Sequence, residues 1–353
     1  MTALIGLSTA MKKCYFFALL IFMGLQFFSG HIIAQQVSQN NGGVMSSGSI
    51  LQSLRKLQVL GSVLYLAAHP DDENNSFLPY LAKEKMYRTG YLSLTRGDGG
   101  QNLIGPEQGI ELGMIRTKEL LAAREIDGAE QYFTSAYEFG FSKSMDEALQ
   151  VWDRIKVLAD AVWVIRNYKP DVIIARFPPD ARAGHGHHSA SAQIAREAFI
   201  AAADPTQFPE QLTNGVTIWQ AKRLLWNTFN FGGANTTSND QFKMDVGIYN
   251  ALEGKSYGEI GGEARSMHKS QGEGRPRRKG EVLEYFTTVL GEAPTQTLLD
   301  GVTLDWTRLG QNATSISTSI DATITAYNPL QPALSLPLLV DVYKQIKALP
   351  ESV

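Results

Sequence analysis

Apolar runs of strand length alternate with amphipathic stretches of helix length from residue 63 to residue 229. Residues 63–68 are rich in β-formers and read as a buried strand. A helix is expected over 76–85, with Ser76 placed to cap it. Residues 91–95 predict a second strand, closed by the loop Arg96-Gly97-Asp98-Gly99-Gly100. A helix over 107–125 would carry Leu112, Ile115, Leu120 and Ala123 on one side, and 131–134 predict a short strand. The strongest helical period runs over 144–168, through Leu149, Trp152, Ile155, Ala159, Val162 and Trp163, and Ser144 and Glu147 have capping-box spacing. Lys169-Pro170-Asp171 stops it. A buried strand over 172–175, a helix over 189–203 and a strand over 223–229 follow. This alternation predicts an α/β fold of Rossmann-like, three-layer type, a mostly parallel sheet with helices on both faces. Sites in such sheets form beyond the carboxyl ends of the strands.

The two ends break this rhythm. Lys12 and Lys13 precede an apolar stretch from Tyr15 to Phe28, and 29–35 offer a polar exit with Ala34 as a small cleavage-point residue. That is the order of an export signal, and the run is short for a membrane span. The ten residues before Met11 add nothing such a signal needs. Residues 36–48 are polar and read as a flexible leader, with the globular part starting near Ile50. In the tail, 311–327 is rich in Thr, Ser and Ala, and 335–349 has helical spacing with Leu339, Val342, Tyr343, Ile346 and Leu349 on one face. Two readings stay open there: a short docking helix, or the front of a further helical unit. The expected organisation is a signal over 1–35, a leader over 36–49, an α/β domain over 50–290 and an extension over 291–353.

Composition narrows the chemistry. The chain has 353 residues, roughly one to two domains. Its 44% hydrophobic and 19% charged shares are those of a globular protein, and a net charge of -3 does not predict binding to nucleic acid or to an anionic membrane surface. The single cysteine, Cys14, lies inside the expected signal. Disulfides, thiolate metal ligands and cysteine nucleophiles are therefore excluded from the mature chain, and any metal must sit on N and O ligands.

Two stretches at predicted strand ends carry such ligands. In His69-Pro70-Asp71-Asp72-Glu73, a histidine and a carboxylate three residues on can grip one divalent ion, leaving Asp71 free to handle protons. Helix-capping acids are the competing reading. His185-Gly186-His187-His188 holds three of the chain's 6 histidines in a stretch full of turn formers. There His188 would complete a three-ligand site with an open position, and His185 would face the same opening. A surface His-rich loop is the alternative. Asp98 leaves the same sheet edge. Arg116 and Glu119 have the spacing of a helical ion pair, or Arg116 meets substrate. Arg96-Gly97-Asp98 spells an adhesion tripeptide that a glycine-rich strand-end loop explains better. Arg275-Pro276-Arg277-Arg278-Lys279 reads as a solvated basic loop, and Asn74, Asn235 and Asn312 head glycosylation sequons.

His69-Pro70-Asp71-Asp72-Glu73, the loop after Thr95, Arg116 with Glu119, the late histidines and Met267-His268-Lys269-Ser270-Gln271 together resemble the PIG-L/LmbE family of zinc-dependent N-acetylglucosamine-type deacetylases. The resemblance runs from about Val63 to Gln271. It implies His69, Asp72 and His188 as zinc ligands, Asp71 as general base toward a metal-activated water, His185 as oxyanion stabiliser, and Arg116 as a contact to sugar hydroxyls. Asp98, from its place at the sheet edge, and His268, as a site wall or else a surface histidine, are further substrate-binding candidates. Two positions depart from the family. Its second motif reads His-x-Asp-His, and the acidic place is His187 here. Some members have a Tyr where this chain has Ala183.

The resulting expectation is an exported (periplasmic or extracellular) metal-dependent hydrolase that removes the N-acetyl group from an amino sugar or glycoconjugate. Zn2+ is the expected cofactor, and N/O ligation also suits iron or cobalt. No nucleic-acid partner is expected, nor a stable membrane span once the signal is cleaved. The alternatives are an amidase for a non-acetyl amide and a catalytically silent sugar-binding protein.

Overall fold

The computed structural model describes residues 36–37, 45–231, 233–272, 274, 276–310 and 313–349, so the expected export signal lies outside the described residues. One strand organises the rest. Ser62–Ala67 is buried along its whole length, and its side chains alternate between two cores, Leu64 and Leu66 in one and Val63, Tyr65 and Ala67 in the other. A strand covered on both faces reads as a continuous apolar run, as this one does.

The sheet strands in chain order are Gln36–Val37 (β1), Ser62–Ala67 (β2), Arg88–Ser93 (β3), Glu130–Phe133 (β4), Val172–Ala175 (β5), Arg223–Thr228 (β6), Phe242–Asp245 (β7) and Leu283–Gly291 (β8). They lie in the order β1-β4-β3-β2-β5-β6-β8-β7. The pairs from β4 through β6 are parallel, while β1, β8 and β7 join antiparallel at the two sides. The longer helices are Ser47–Lys56 (α1), Ile110–Asp127 (α2), Met145–Val151 (α3), Arg154–Tyr168 (α4), Gly186–Ala201 (α5), Tyr257–Arg265 (α6), Thr314–Ala326 (α7) and Leu336–Lys347 (α8). Residues of α3, α4 and α5 pack in the core with Leu64 and Leu66, and residues of α2 and α6 in the core with Val63 and Tyr65. The fold is thus mixed α/β, a mostly parallel central sheet flanked by helices. The order in which successive strands are added to the sheet reverses between the parallel neighbours β2 and β5, which opens a crevice beyond their carboxyl ends. Among the described residues no helix is long and apolar enough to cross a membrane.

Local chemistry moves several boundaries. The single helix expected over 144–168 is two, because Asp153 takes a left-handed φ of 58° and caps α4 with its own side chain. The break turns Trp152 inward, where its Nε1 donates to the Tyr137 carbonyl at 2.8 Å, and leaves Ile155 exposed. Half of the expected capping box forms: Ser144 Oγ accepts the Glu147 N–H at 3.2 Å, but Glu147 accepts from Lys143. The helix expected over 76–85 is a short helix, Phe77–Pro79, followed by a π-helical turn, Tyr80–Glu84. Ser76 makes no capping bond; Asn74 Oδ1 accepts the Phe77 N–H instead, at 3.2 Å. Helix α5 starts at Gly186, three residues ahead of the expected Ser189. Helix α1 begins within the expected leader, capped by Ser46.

The end of β2 opposite the crevice is tied to the tail. Asp171, just before β5, accepts the backbone N–H and the hydroxyl of Ser62 at 2.8 and 3.0 Å. Arg308 grips the same carboxylate with two bonds of 2.7 and 2.9 Å. Trp306, Ile316, Ile320 and Val342 form a third cluster with Leu57 and Leu60, which lie next to β2. Removing the Asp171 carboxylate strands a buried N–H, a hydroxyl and a guanidinium. Asp171→Ala should therefore cost about 3 kcal/mol of unfolding free energy in urea titrations, with Asp171→Asn costing less because it keeps an acceptor.

Candidate active site

The neighbouring strand fixes where β2 releases the chain. Tyr91 of β3 donates its hydroxyl to the His69 carbonyl at 2.5 Å, and Thr95 donates its N–H and hydroxyl to the Ala68 carbonyl. Asp72 then folds back. Its Oδ2 accepts the His69 backbone N–H at 2.8 Å and stands 3.1 Å from His69 Nδ1, and its Oδ1 is 3.3 Å from His188 Nε2.

His188 arrives on the first turn of α5, beyond the next strand. His185 is the residue preceding that helix, with extended backbone, and Gly186 lets the turn close against the chain before α3. A Cβ at Gly186 would stand 2.1 Å from Ser142 Oγ and from the Ser144 carbonyl oxygen, so no side chain fits. His188 Nδ1 bonds the Ala183 carbonyl at 2.8 Å, and its ring stacks on Phe177 at 3.7 Å. A carbonyl only accepts, so Nδ1 carries a hydrogen, and Nε2 is the ring nitrogen that faces Asp72. The His185 ring lies 3.8 Å from that of His188 and 5.4 Å from that of His69, and its buried Nδ1 has no partner among the described residues. His187 faces the other way. It is fully buried, places Nδ1 3.0 Å from His69 Nε2, stacks on Trp152 and meets Phe139 edge-on.

The charges follow from this packing. Burial pushes the His69 ring down, but the Asp72 carboxylate and its hydrogen bond outweigh that and raise it to about 9. Burial pushes Asp72 up, and His188 and His69 reverse it, holding the carboxyl well below its ordinary value. Burial lowers His185 and His187 to about 3, helped by the neighbouring histidines, so both rings are neutral. Burial and then the Asp72 charge raise Asp71 to about 6, against the opposing Arg265.

The donor set suits a divalent ion. Bonds of about 2.0–2.1 Å in a tetrahedral site put ligand atoms roughly 3.3 Å apart; His69 and His188 stand 3.1 and 3.3 Å from Asp72, each from a different carboxylate oxygen. His69, His185 and His188 each bring a ring nitrogen within 4.8 Å of the others, and so do His69, Glu138 and His187 with one ligand atom each. The rings of His69 and His188 are also held from behind, as metal-binding imidazoles usually are, by His187 and by the Ala183 carbonyl.

Asp71, Asp72 and His188 line a cavity of about 870 Å³ whose other walls include Arg176, Phe177, Asn230, Arg265, Glu284 and Tyr285. The remaining sequence candidates lie off its wall. Arg116 is buried under the glycine loop, donating to the Gln101 carbonyl at 2.6 Å and standing 3.6 Å from Glu138. It does not pair with Glu119, which accepts from Ser270. Asp98 is half-buried against Gly113 of α2, its carboxyl raised by burial. His268 is fully buried and bonds Glu73 at 2.8 Å. The adhesion-like tripeptide is not displayed: Arg96 lies over the Phe133 ring and Gly97 is buried. Sequence reasoning gave no role to Glu138 or Arg265. Glu138 sits among aromatic residues with no motif around it, and the signal for Arg265 was only its nearness to the late His-x-Ser-Gln element.

Residues 64–199 match the family model described as GlcNAc-PI de-N-acetylase, PIG-L. The match covers well under half of the chain, and within this segment the chain is similar to the PIG-L family. It is 29% identical over 183 residues to a 1D-myo-inositol 2-acetamido-2-deoxy-alpha-D-glucopyranoside deacetylase 2 of Frankia casuarinae, a match over 45% of this chain and 55% of that protein. It therefore spans little more than half the length of this curated relative. Among solved structures, an N,N'-diacetylchitobiose deacetylase from Pyrococcus horikoshii aligns with TM-score 0.44 at 19% identity over 63% of this chain and 73% of that one. The 4-carboxy-2-hydroxymuconate hydratase GalB from Pseudomonas putida aligns with TM-score 0.45 at 16% identity over 67% and 99%.

His187 is the partner of the second nitrogen of His69, so its loss should loosen that ring. Competition titration with a zinc chelator should show one ion bound per chain, and His187→Phe should weaken it by about 10–100-fold.

Proposed function

We propose that the protein is a metal-dependent N-deacetylase that hydrolyses the acetamide of an N-acetylglucosamine-type sugar or glycoconjugate. The observation that carries this reading is the convergence of His69, Asp72 and His188, with Asp71 and His185 beside them, inside the segment that matches the PIG-L family. The named activity of the curated deacetylase relative supports the same reaction class. His69, Asp72 and His188 would hold the ion, zinc in the first instance. When bound, it supplies a Lewis acid and lowers the pKa of water at the site.

The protein's own groups do the rest. Asp71 lies on the cavity wall beside Asp72, and burial brings its carboxyl toward neutrality, where a base both accepts and returns a proton efficiently. It takes the proton of the attacking water and delivers it to the departing amine. His185 is neutral and donates a hydrogen bond through one ring N–H toward the oxygen that gains charge. The acidic residue expected in the second motif is therefore not needed to hold His185 as a neutral donor. Phe177, Phe229 and Tyr285 among polar groups such as Asn74, Asn230 and Glu284 give the cavity the mixed apolar and hydrogen-bonding lining that suits a sugar. The basic, apolar, polar order of residues 12–35 supports export as the setting of the reaction.

Acetate release from a panel of N-acetylglucosamine derivatives by zinc-loaded protein tests this reading. Asp71→Asn should lose about 10²–10⁴-fold of the activity while still binding zinc. Full release by Asp71→Asn would remove Asp71 from the base role. No release from any sugar by protein holding one zinc would point to a non-acetyl amide or a binding role.

A further inference from the structure

Asp71 has a φ of 96°, a left-handed backbone conformation that residues other than glycine rarely adopt and that persists only where surroundings enforce it. Three groups grip this turn from outside it. Glu73 Oε2 accepts the Asp71 N–H at 2.8 Å. Arg265, at the end of α6, donates to the Asp71 carbonyl and, at 3.2 Å, to Asp71 Oδ2. Gln271 Nε2 donates to the Pro70 carbonyl at 2.8 Å.

Glu73 is held in turn. It is buried, and two donors from distant segments face its Oε1. His268 Nε2 lies 2.8 Å from Glu73 Oε1 and Arg124 Nη2 3.2 Å from the same oxygen. A carboxylate only accepts, so His268 carries its hydrogen on Nε2. Between His268 and Gln271, Ser270 donates its N–H and hydroxyl to Glu119 of α2, each at 2.6 Å, which pins this late stretch against the domain.

We propose that Glu73, Arg265, His268 and Gln271 form a latch that holds Asp71 in its left-handed conformation, and that the late His-x-Ser-Gln element positions the base without touching substrate. The inference rests on the base role given to Asp71 above. It assigns His268 to the back of the turn, against the reading of that residue as a wall of the substrate site.

The test compares His268→Leu, which removes the donor, with His268→Gln, whose amide nitrogen can still reach Glu73. His268→Leu should lose on the order of 10²-fold in kcat, the scale of a small misplacement of a reacting group, with KM within about twofold and bound zinc unchanged. His268→Gln should recover most of the loss. Hydrogen exchange followed by mass spectrometry should show faster exchange in the peptide around residues 69–76 for His268→Leu and not for His268→Gln. Wild-type kcat and exchange in His268→Leu would overturn the latch. So would a raised KM at unchanged kcat, or a Gln variant as damaged as the Leu variant. If His268→Leu does not fold, Gln271→Ala carries the test, because it removes one bond from a half-buried side chain. A several-fold loss of kcat with the same local rise in exchange supports the latch, and neither change sinks it. Wild-type protein that releases no acetate would count against the proposed function, and the exchange data alone would then judge the latch.

Discussion

The Asp72 carboxylate divides its oxygens between histidines delivered by different strands, one at the end of β2 and one on the helix after β5. Those strands are neighbours in the sheet but far apart in sequence. Closing this contact fixes the crevice at which the strand order reverses, and the other site groups take their places from it. Tyr91 and Thr95 set the exit of β2 on one side, and Gly186 lets α5 start close enough on the other. Since Asp72 also accepts the His69 N–H, the same carboxylate shapes the turn that presents it.

Behind this front the polar groups are bound to one another. His187 supports His69, the Ala183 carbonyl supports His188, and Glu73 supports Asp71. Contacts of this kind tie the rigidity of the site to the buried groups around it, although His187 Nε2 has no partner among the described residues. Trp152, which follows α3 with helical backbone, stacks on His187, and the chain breaks at the left-handed Asp153 just after it.

The parts of this arrangement legible in the sequence were those with a local signal. β2 and β5 declare themselves as apolar runs, and His69-Pro70-Asp71-Asp72-Glu73 declares itself by residue type and position. The parallel alternation of strands and helices predicts the sheet and the edge where the motifs meet. The break at Asp153 was hidden because an apolar period of 3.6 continues across it, while the left-handed φ of Asp153 and its cap on α4 leave no mark in that spacing. The early start of α5 was missed because the loop-like residues Gly184 and Gly186 serve close packing there. Arg116 and Glu119 looked like a pair by spacing, and each finds a stronger partner from a distant segment. Ser76 looked like a cap, and Asn74 reaches the Phe77 N–H instead.

The cavity draws its lining from two stretches of chain. Asp71, Asp72, Arg176, Phe177 and His188 come from the family-matched segment, whereas Phe229, Asn230, Arg265, Arg278, Glu284 and Tyr285 come from beyond it. Groups that react and much of the surface that admits a molecule are thus encoded separately. Arg265 excepted, since it also holds Asp71, substitutions in the second stretch can change which molecule fits the cavity while His69, Asp72 and His188 stay where β2 and β5 put them.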